Sequence, residues 1–177
     1  MFNEERDKAM FKWEMLGDIE KGRPNLGPKT DVMTYRLMQY TLRDILIRDF
    51  GVERANRVLF EAGEHAGREF SRNVVKERED LDAYVAELQG LLRDKGIGIL
   101  RVEDGDPETM EYTVAVAEDL DCSGLPFTDE CICTYDEGFL AGLFSEFTGR
   151  DFTAREVDCW CSGERVCRFA VKPKNGK

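Results

Sequence analysis

Cysteine is missing from the first 121 residues of this 177-residue chain, and all six fall between Cys122 and Cys167. Histidine occurs once, as His65. A nucleophile–histidine relay therefore has at most one base to draw on, and no such pair is evident. Positive charge is in deficit: 25 Lys and Arg face 36 Asp and Glu, for a net charge of −11. That balance removes the electrostatic footprint that nucleic acid or an anionic membrane surface requires. No run approaches the ~20 apolar residues of a spanning helix. The opening Met1-Phe2-Asn3-Glu4-Glu5 lacks the basic-then-apolar start of a signal peptide. Neither a Gly-x-Gly-x-x-Gly fingerprint after a strand nor a Walker-type loop is present. The expectation is a cytoplasmic protein with no nucleic-acid or membrane partner, whose thiols stay reduced.

What is present suits a globular domain: 42% hydrophobic residues and 10% aromatics. The length fits one domain over residues 11–172, with a flexible segment at 1–10 and a flexible tail at 173–177. Alternation of Phe11, Trp13 and Met15 predicts a short strand. Turn residues fill Lys21 to Pro28. A helix over about 31–50, capped by Thr30 or Asp31, is apolar around most of its circumference. Such a helix is expected to be buried on more than one side or to line a cavity. Gly51 stops it, and a second helix runs over 52–76. A third starts at Asp80, with Leu81, Tyr84, Val85, Leu88, Leu91 and Leu92 on one face. Strands follow at Ile97–Glu103 and Met110–Ala117, then a helix from Thr134 to Phe147, and strands near Phe152–Cys159 and Val166–Val171. Runs of helices beside hairpins predict an α+β fold, an antiparallel sheet of hairpins with helices packed on one face.

The second helix carries a stripe of small residues, Ala55, Ala62, Gly63, Ala66 and Gly67. Glycine costs ~1 kcal/mol against alanine inside a helix. Two of them imply a close approach on that face, ordinarily by another helix backbone and otherwise by a ligand. A lone helical histidine such as His65 is more often a satisfied side chain than a ligand or base.

The clustered thiols point first to a metal, since zinc takes several deprotonated soft ligands in a tetrahedron. If Ser162-Gly163-Glu164 forms the last turn, Cys159 lies across from Cys167, with Cβ atoms ~5 Å apart. Cys131 or Cys133 can add a third ligand. The fourth is open among Cys161, Cys122 and a carboxylate such as Glu156. Buried inert thiols, redox chemistry and an iron–sulfur cluster are the competing readings. Spacing alone does not choose, because neither Cys-x-Cys matches the common Cys-x-x-Cys knuckle.

The runs Glu118-Asp119-Leu120-Asp121-Cys122-Ser123-Gly124 and Cys133-Thr134-Tyr135-Asp136-Glu137-Gly138 resemble the 4-vinyl reductase domain family, whose members are described as hydrocarbon-binding proteins. The ending Glu156-Val157-Asp158-Cys159-Trp160, with Ser162-Gly163-Glu164-Arg165-Val166-Cys167, is similar to it too. The softer upstream match extends the resemblance over about residues 13–170. It implies a small-molecule-binding fold related to nitric-oxide-sensor and Golgi-trafficking ligand-binding domains and to the sensor domains of phenol-responsive activators. It also implies a zinc held by Cys133, Glu156, Cys159 and Cys167, leaving Cys122, Cys131 and Cys161 spare. Glu156 and Cys159 are three apart, so a bulge or an early strand end is needed for both to face one ion. Arg155, Arg165 and Arg168 are near enough in sequence to offset its negative charge.

The resulting expectation is a zinc-stabilised domain that binds or senses an apolar, hydrocarbon or aromatic molecule. Its cavity is expected between the helices at 31–50 and 52–76 and the sheet, lined by Trp13, Tyr35, Phe60, His65 and Phe139. Output would pass through a signalling partner protein, and a homodimer through the N-terminal strand or first helix is expected by base rate. The alternatives are a reductase, or an accessory protein, acting on vinyl groups of a tetrapyrrole, and a zinc-stapled interaction module without a ligand. The missing catalytic constellation and nucleotide motif weigh against an enzyme.

Overall fold

Two helices that touch backbone to backbone make the spine of the computed structural model, which describes residues 4–174. They are α3 (Val52–Val74) and α5 (Thr134–Thr148). Gly63 and Gly67 of α3 face the carbonyls of Tyr135 and Phe139, and Gly138 and Gly142 of α5 face those of Phe60 and Glu64. A Cβ at any of the four would overlap the opposing carbonyl oxygen. The close approach inferred from the small-residue stripe is therefore that of a helix backbone. The stripe divides, however, because Ala62 and Ala66 turn away into a groove described below.

The sheet has four antiparallel strands in the order β1-β2-β4-β3. They are β1 (Ile99–Asp106), β2 (Glu111–Ala117), β3 (Phe152–Asp158) and β4 (Val166–Pro173). Alternation sets its faces. Tyr112, Val114, Phe152, Ala154, Phe169 and Val171 are buried, whereas Arg155, Ala170 and Lys172 are exposed. The inner face packs on α5 and on α4 (Leu81–Asp94), which Asp80 caps by accepting the Ala83 N–H at 2.8 Å. Tyr84 and Leu88 of α4 are fully buried, as the helical period predicts. The Tyr84 hydroxyl sits 2.9 Å from Ser71 Oγ and donates to the Leu143 carbonyl at 3.1 Å, tying α4 to both spine helices. The α+β class, the two hairpins and helices on one face all match the expectation.

Three expectations need correction. Residues 11–15 form no strand: Trp13–Leu16 is a 3-10 turn, because the Trp13 N–H donates to buried Glu69 Oε2 at 2.8 Å rather than to a neighbouring strand. A short helix α1 (Ile19–Gly22) lies at the start of the expected loop. Third, α2 (Val32–Phe50) has no buried residue at all. Its apolar residues are numerous, but its polar ones face the protein. Of the expected tail, Pro173 closes β4, and Lys174 donates its N–H to the Asp151 carbonyl at 2.7 Å. Residues 175–177, like 1–3 at the other end, lie outside the described residues. Among the described residues no helix is long and apolar enough to cross a membrane.

The spine can be tested with two glycine substitutions. Gly142→Ala is expected to cost about 1–3 kcal/mol through overpacking against Glu64. Gly90→Ala, on exposed α4 with open space around it, is expected to stabilise by about 0.4–1 kcal/mol. Urea midpoints of the two variants measure the contrast.

Candidate metal centre and apolar groove

Each buried thiol of the C-terminal cluster is placed by a separate local device. Asp119 Oδ1 accepts the backbone N–H of Asp121 at 2.8 Å and of Cys122 at 3.2 Å, folding the loop that turns Cys122 inward. Cys133 is the residue before α5, and its N–H donates to Glu156 Oε2 at 2.9 Å. Cys159 follows β3, where Ser162 Oγ accepts its N–H at 3.0 Å across a tight turn. Cys167 lies on β4, paired with Val116 of β2.

The four Sγ atoms all lie within 4.8 Å of one another, and all four residues are buried. Cys133 Sγ is 3.9 Å from both Cys159 Sγ and Cys167 Sγ, and Cys122 Sγ is 3.1 Å from Cys167 Sγ. A tetrahedron with 2.3 Å zinc–sulfur bonds has sulfurs about 3.8 Å apart. A disulfide needs about 2.05 Å. The spacing is thus of the metal-binding kind, and this set of thiols can hold a metal ion. Hydrogen bonds from Cys122, Cys133 and Cys167 draw the Cys159 thiol far below its ordinary range. The matching contacts, with Cys122 first, push Cys133 far above it.

Cys133, Cys159 and Cys167 were all expected, and the structure brings them together. Glu156 lies beside them rather than among the four. Its Oε2 takes the Cys133 N–H, while its buried Oε1 has no partner. Burial, then the Cys159 charge, raises its carboxyl to about 8. The pairing of β3 with β4 shifts between Glu156 and Asp158, and β3 ends at Asp158. The irregularity that the spacing of Glu156 and Cys159 demanded is therefore present. Cys161 is buried outside the cluster, its carbonyl accepting the N–H groups of Thr128 and Asp129 at 2.9 Å each. Cys131 is exposed. The arginines do not gather at the thiols: Arg168 pairs with Glu103 and Asp158, and Arg155 lies 3.7 Å from Glu137.

A belt of buried acids surrounds the centre, and residue spacing gave no sign of it. Asp119 and Asp121 are buried, and Asp136 Oδ2 is buried without a partner. Burial, then the neighbouring Asp121, lifts the Asp119 carboxyl to about 7. The polar face of α2 covers this belt. Tyr35 donates its hydroxyl to Asp121 Oδ1 at 2.8 Å, and the Tyr40 hydroxyl reaches the Asp121 carbonyl at 3.0 Å. Gln39 donates to Asp121 Oδ2 at 2.5 Å. Arg36 donates to the carbonyls of Leu120 at 2.8 Å and Ser123 at 2.9 Å. Burial, with Asp121 adding to it, holds the Tyr35 phenol well above its ordinary range, so it acts as a donor. Tyr35, expected in a ligand cavity, instead clamps the loop that carries Cys122.

The main apolar groove is elsewhere than expected. It lies between the N-terminal segment, α3 and α5, with a volume of about 660 Å³. Trp13, Leu16, Ala62, Ala66, Phe70, Tyr135 and Phe139 supply its apolar walls, and His65, Glu61 and Glu69 its polar points. Trp13, His65 and Phe139 were expected there. Phe60 is not among the lining residues: its ring lies 5.7 Å from the Lys174 ammonium. The groove does not reach α2 because α2 turns its polar face inward. His65 Nε2 donates to the Phe11 carbonyl at 2.9 Å, so the lone histidine is a satisfied side chain that holds the N-terminal segment over the groove. Glu69 was missed; its role comes from accepting the Trp13 N–H, which no local pattern signals.

An open antiparallel sheet carrying helices on one face, with a thiol centre between loop, helix start and hairpin, defines a mixed α+β domain. Its C-terminal part belongs to the vinyl-4-reductase domain family, whose model matches residues 112–173. An uncharacterized Methanocaldococcus jannaschii protein, MJ0150, is 24% identical over 94% of this chain and 92% of its own length. The fold is similar to that of the phenol-responsive sensory domain of the transcription activator PoxR, solved with phenol (TM-score 0.62, 18% identity, 84% of this chain and 78% of that one). It is similar to a vinyl-4-reductase family protein from Methanocaldococcus jannaschii (0.61, 19%, 95% and 100%). It is also similar to trafficking protein particle complex subunit 3 from Naegleria fowleri, covalently bound to palmitic acid (0.65, 11%, 81% and 95%).

The clamp predicts a measurable coupling between α2 and the thiol loop. Arg36→Ala removes charged hydrogen bonds to two loop carbonyls, each bond worth ~1.5–3 kcal/mol. Hydrogen exchange of the 119–123 amides should rise by at least tenfold, and unchanged protection would count against the clamp.

Proposed function

We propose that the chain is a zinc-stabilised small-molecule-binding domain whose ligand is apolar or aromatic and occupies the groove beneath residues 9–16. The observation that carries this reading is the groove itself. Its volume of about 660 Å³ falls in the range of drug-sized ligand sites, and its few polar points among aromatic walls are what such sites use for orientation. The sensing role rests on the vinyl-4-reductase domain and on the fold shared with a phenol-responsive sensory domain.

The metal is zinc in this reading, because four buried thiols at these separations suit a tetrahedral d¹⁰ ion with no open position. Such an ion staples the loop at Cys122, the start of α5 and the last hairpin, and it does no chemistry. The fourth ligand is assigned to Cys122 in preference to Glu156, since its thiol already stands in the cluster. Glu156 instead orients the Cys133 backbone. Elemental analysis is expected to find about one zinc per chain, lost in the Cys159→Ser/Cys167→Ser variant. Cys122→Ser should weaken zinc at least tenfold in a chelator competition while Glu156→Gln stays within a few-fold. The reverse order would return the fourth position to Glu156.

For the ligand, native mass spectrometry of the purified chain and titration with phenol and longer alkylphenols are the direct measurements. Ala66→Trp fills the groove from α3, and it should abolish binding while zinc content is unchanged. Binding that survives Ala66→Trp would place the ligand elsewhere, and no binding by any apolar probe would favour an interaction module.

A further inference from the structure

The helix α2 is built inside out. Its polar side chains, Tyr35, Arg36, Gln39, Tyr40 and Arg43, reach inward to the acid belt and nearby carbonyls. Its outward face carries Met33, Leu37, Met38 and Leu42 at 72%, 66%, 63% and 52% exposure. Nothing among the described residues covers that face. A row of large apolar side chains is the kind of surface that marks an interaction site. From Val32 to Leu42 the outward positions bear no charge, on a chain whose net charge is −11. Two copies repel one another over most approaches, and this is a strip where they do not.

We infer that α2 is a homodimer interface in which two copies of this chain pack their α2 helices antiparallel across a two-fold axis between Met38 and Thr41. The occupant is a second copy because the face is complementary to itself. Thr34, Met38, Thr41 and Ile45 recur at the four-three-four spacing of a helix-pairing seam, with Leu37 and Leu42 beside it. Reversing the helix about that axis sets Leu37 against Leu42, and Thr34 against Ile45. It also sets Asp31, at the helix start, against Arg48 near the partner's end, twice by symmetry. The same arrangement opposes the two helix dipoles, a favourable alignment. Thr41 is already satisfied for burial, since its hydroxyl donates to the Leu37 carbonyl at 2.7 Å within its own helix. At 19 residues the helix offers a contact about 28 Å long. The inner face of the same helix holds the loop of Cys122, so the interface would be anchored directly on the thiol centre.

Size-exclusion chromatography with light scattering on the full chain is the first test, and it is independent of the ligand and zinc readings. The expected mass is twice the 20.3 kDa of the chain, falling twofold in Leu37→Asp/Leu42→Asp with zinc content retained. A monomeric native chain at micromolar concentration, or a folded double variant that stays dimeric, overturns the inference. Orientation is read in a Cys131→Ser background under mild oxidation. Thr34→Cys/Ile45→Cys should cross-link to a covalent dimer, and Thr34→Cys alone should not. Cross-linking by Thr34→Cys alone indicates parallel helices and overturns the proposed register, a result that stands even if the aspartate variant fails to fold.

Discussion

The backbone contact between α3 and α5 is the constraint on which the other placements depend. Two glycine pairs, one on each helix, let the helix axes approach until carbonyls meet Cα atoms. Helices that close have little room for side chains between them, so their larger residues are driven to the flanks. On one flank Leu140, Leu143 and Phe144 enter the core against the sheet. On the other, Phe70, Tyr135 and Phe139 form the wall of the groove. The start of α5 is fixed by the same contact, and with it the position of Cys133. The apolar groove and the thiol centre are thus two consequences of one helix pairing.

The thiol centre concentrates negative charge in the interior. Asp119, Asp121, Asp136 and Glu156 stand near four sulfurs, and the nearby arginines of the hairpin are occupied by Glu103, Asp158 and Glu137. Burying such groups unpaired is costly. The protein meets the cost with donors from α2 and with backbone N–H groups at Asp119 and Glu156. That requirement explains an otherwise puzzling helix: α2 is held by polar contacts because what it covers is polar. Its apolar side chains are left facing outward as a result. The surface inferred for pairing follows from the chemistry of the centre beneath it.

Periodicity made much of this legible in advance. The stripe of α4 from Leu81 to Leu92, the alternating strands of the two hairpins and the glycine stripe of α3 are local patterns, and each produced the packing its period implies. Cys133, Cys159 and Cys167 could be grouped because a hairpin brings residues near one another in sequence together. The N-terminal strand was misread for want of a partner that local alternation cannot supply: the Trp13 N–H found Glu69, 56 residues away. For α2 the count of apolar residues was right and the inference of burial was wrong. Which side of a broadly apolar helix faces inward depends on what it meets, and it met Asp121, 86 residues from Tyr35.

The sequence by itself determined the secondary structure, the α+β class and the segment that holds the thiols. All three rest on short-range rules of backbone geometry and hairpin proximity. Only the tertiary structure decided that Cys122 completes the set of four, that the groove lies under residues 9–16, and that α2 turns its apolar face to solvent. Those outcomes rest on contacts between elements distant in the chain. Burial there is settled by matching shape at the glycines and charge at the acid belt, and neither match is written in the spacing of residues along one element.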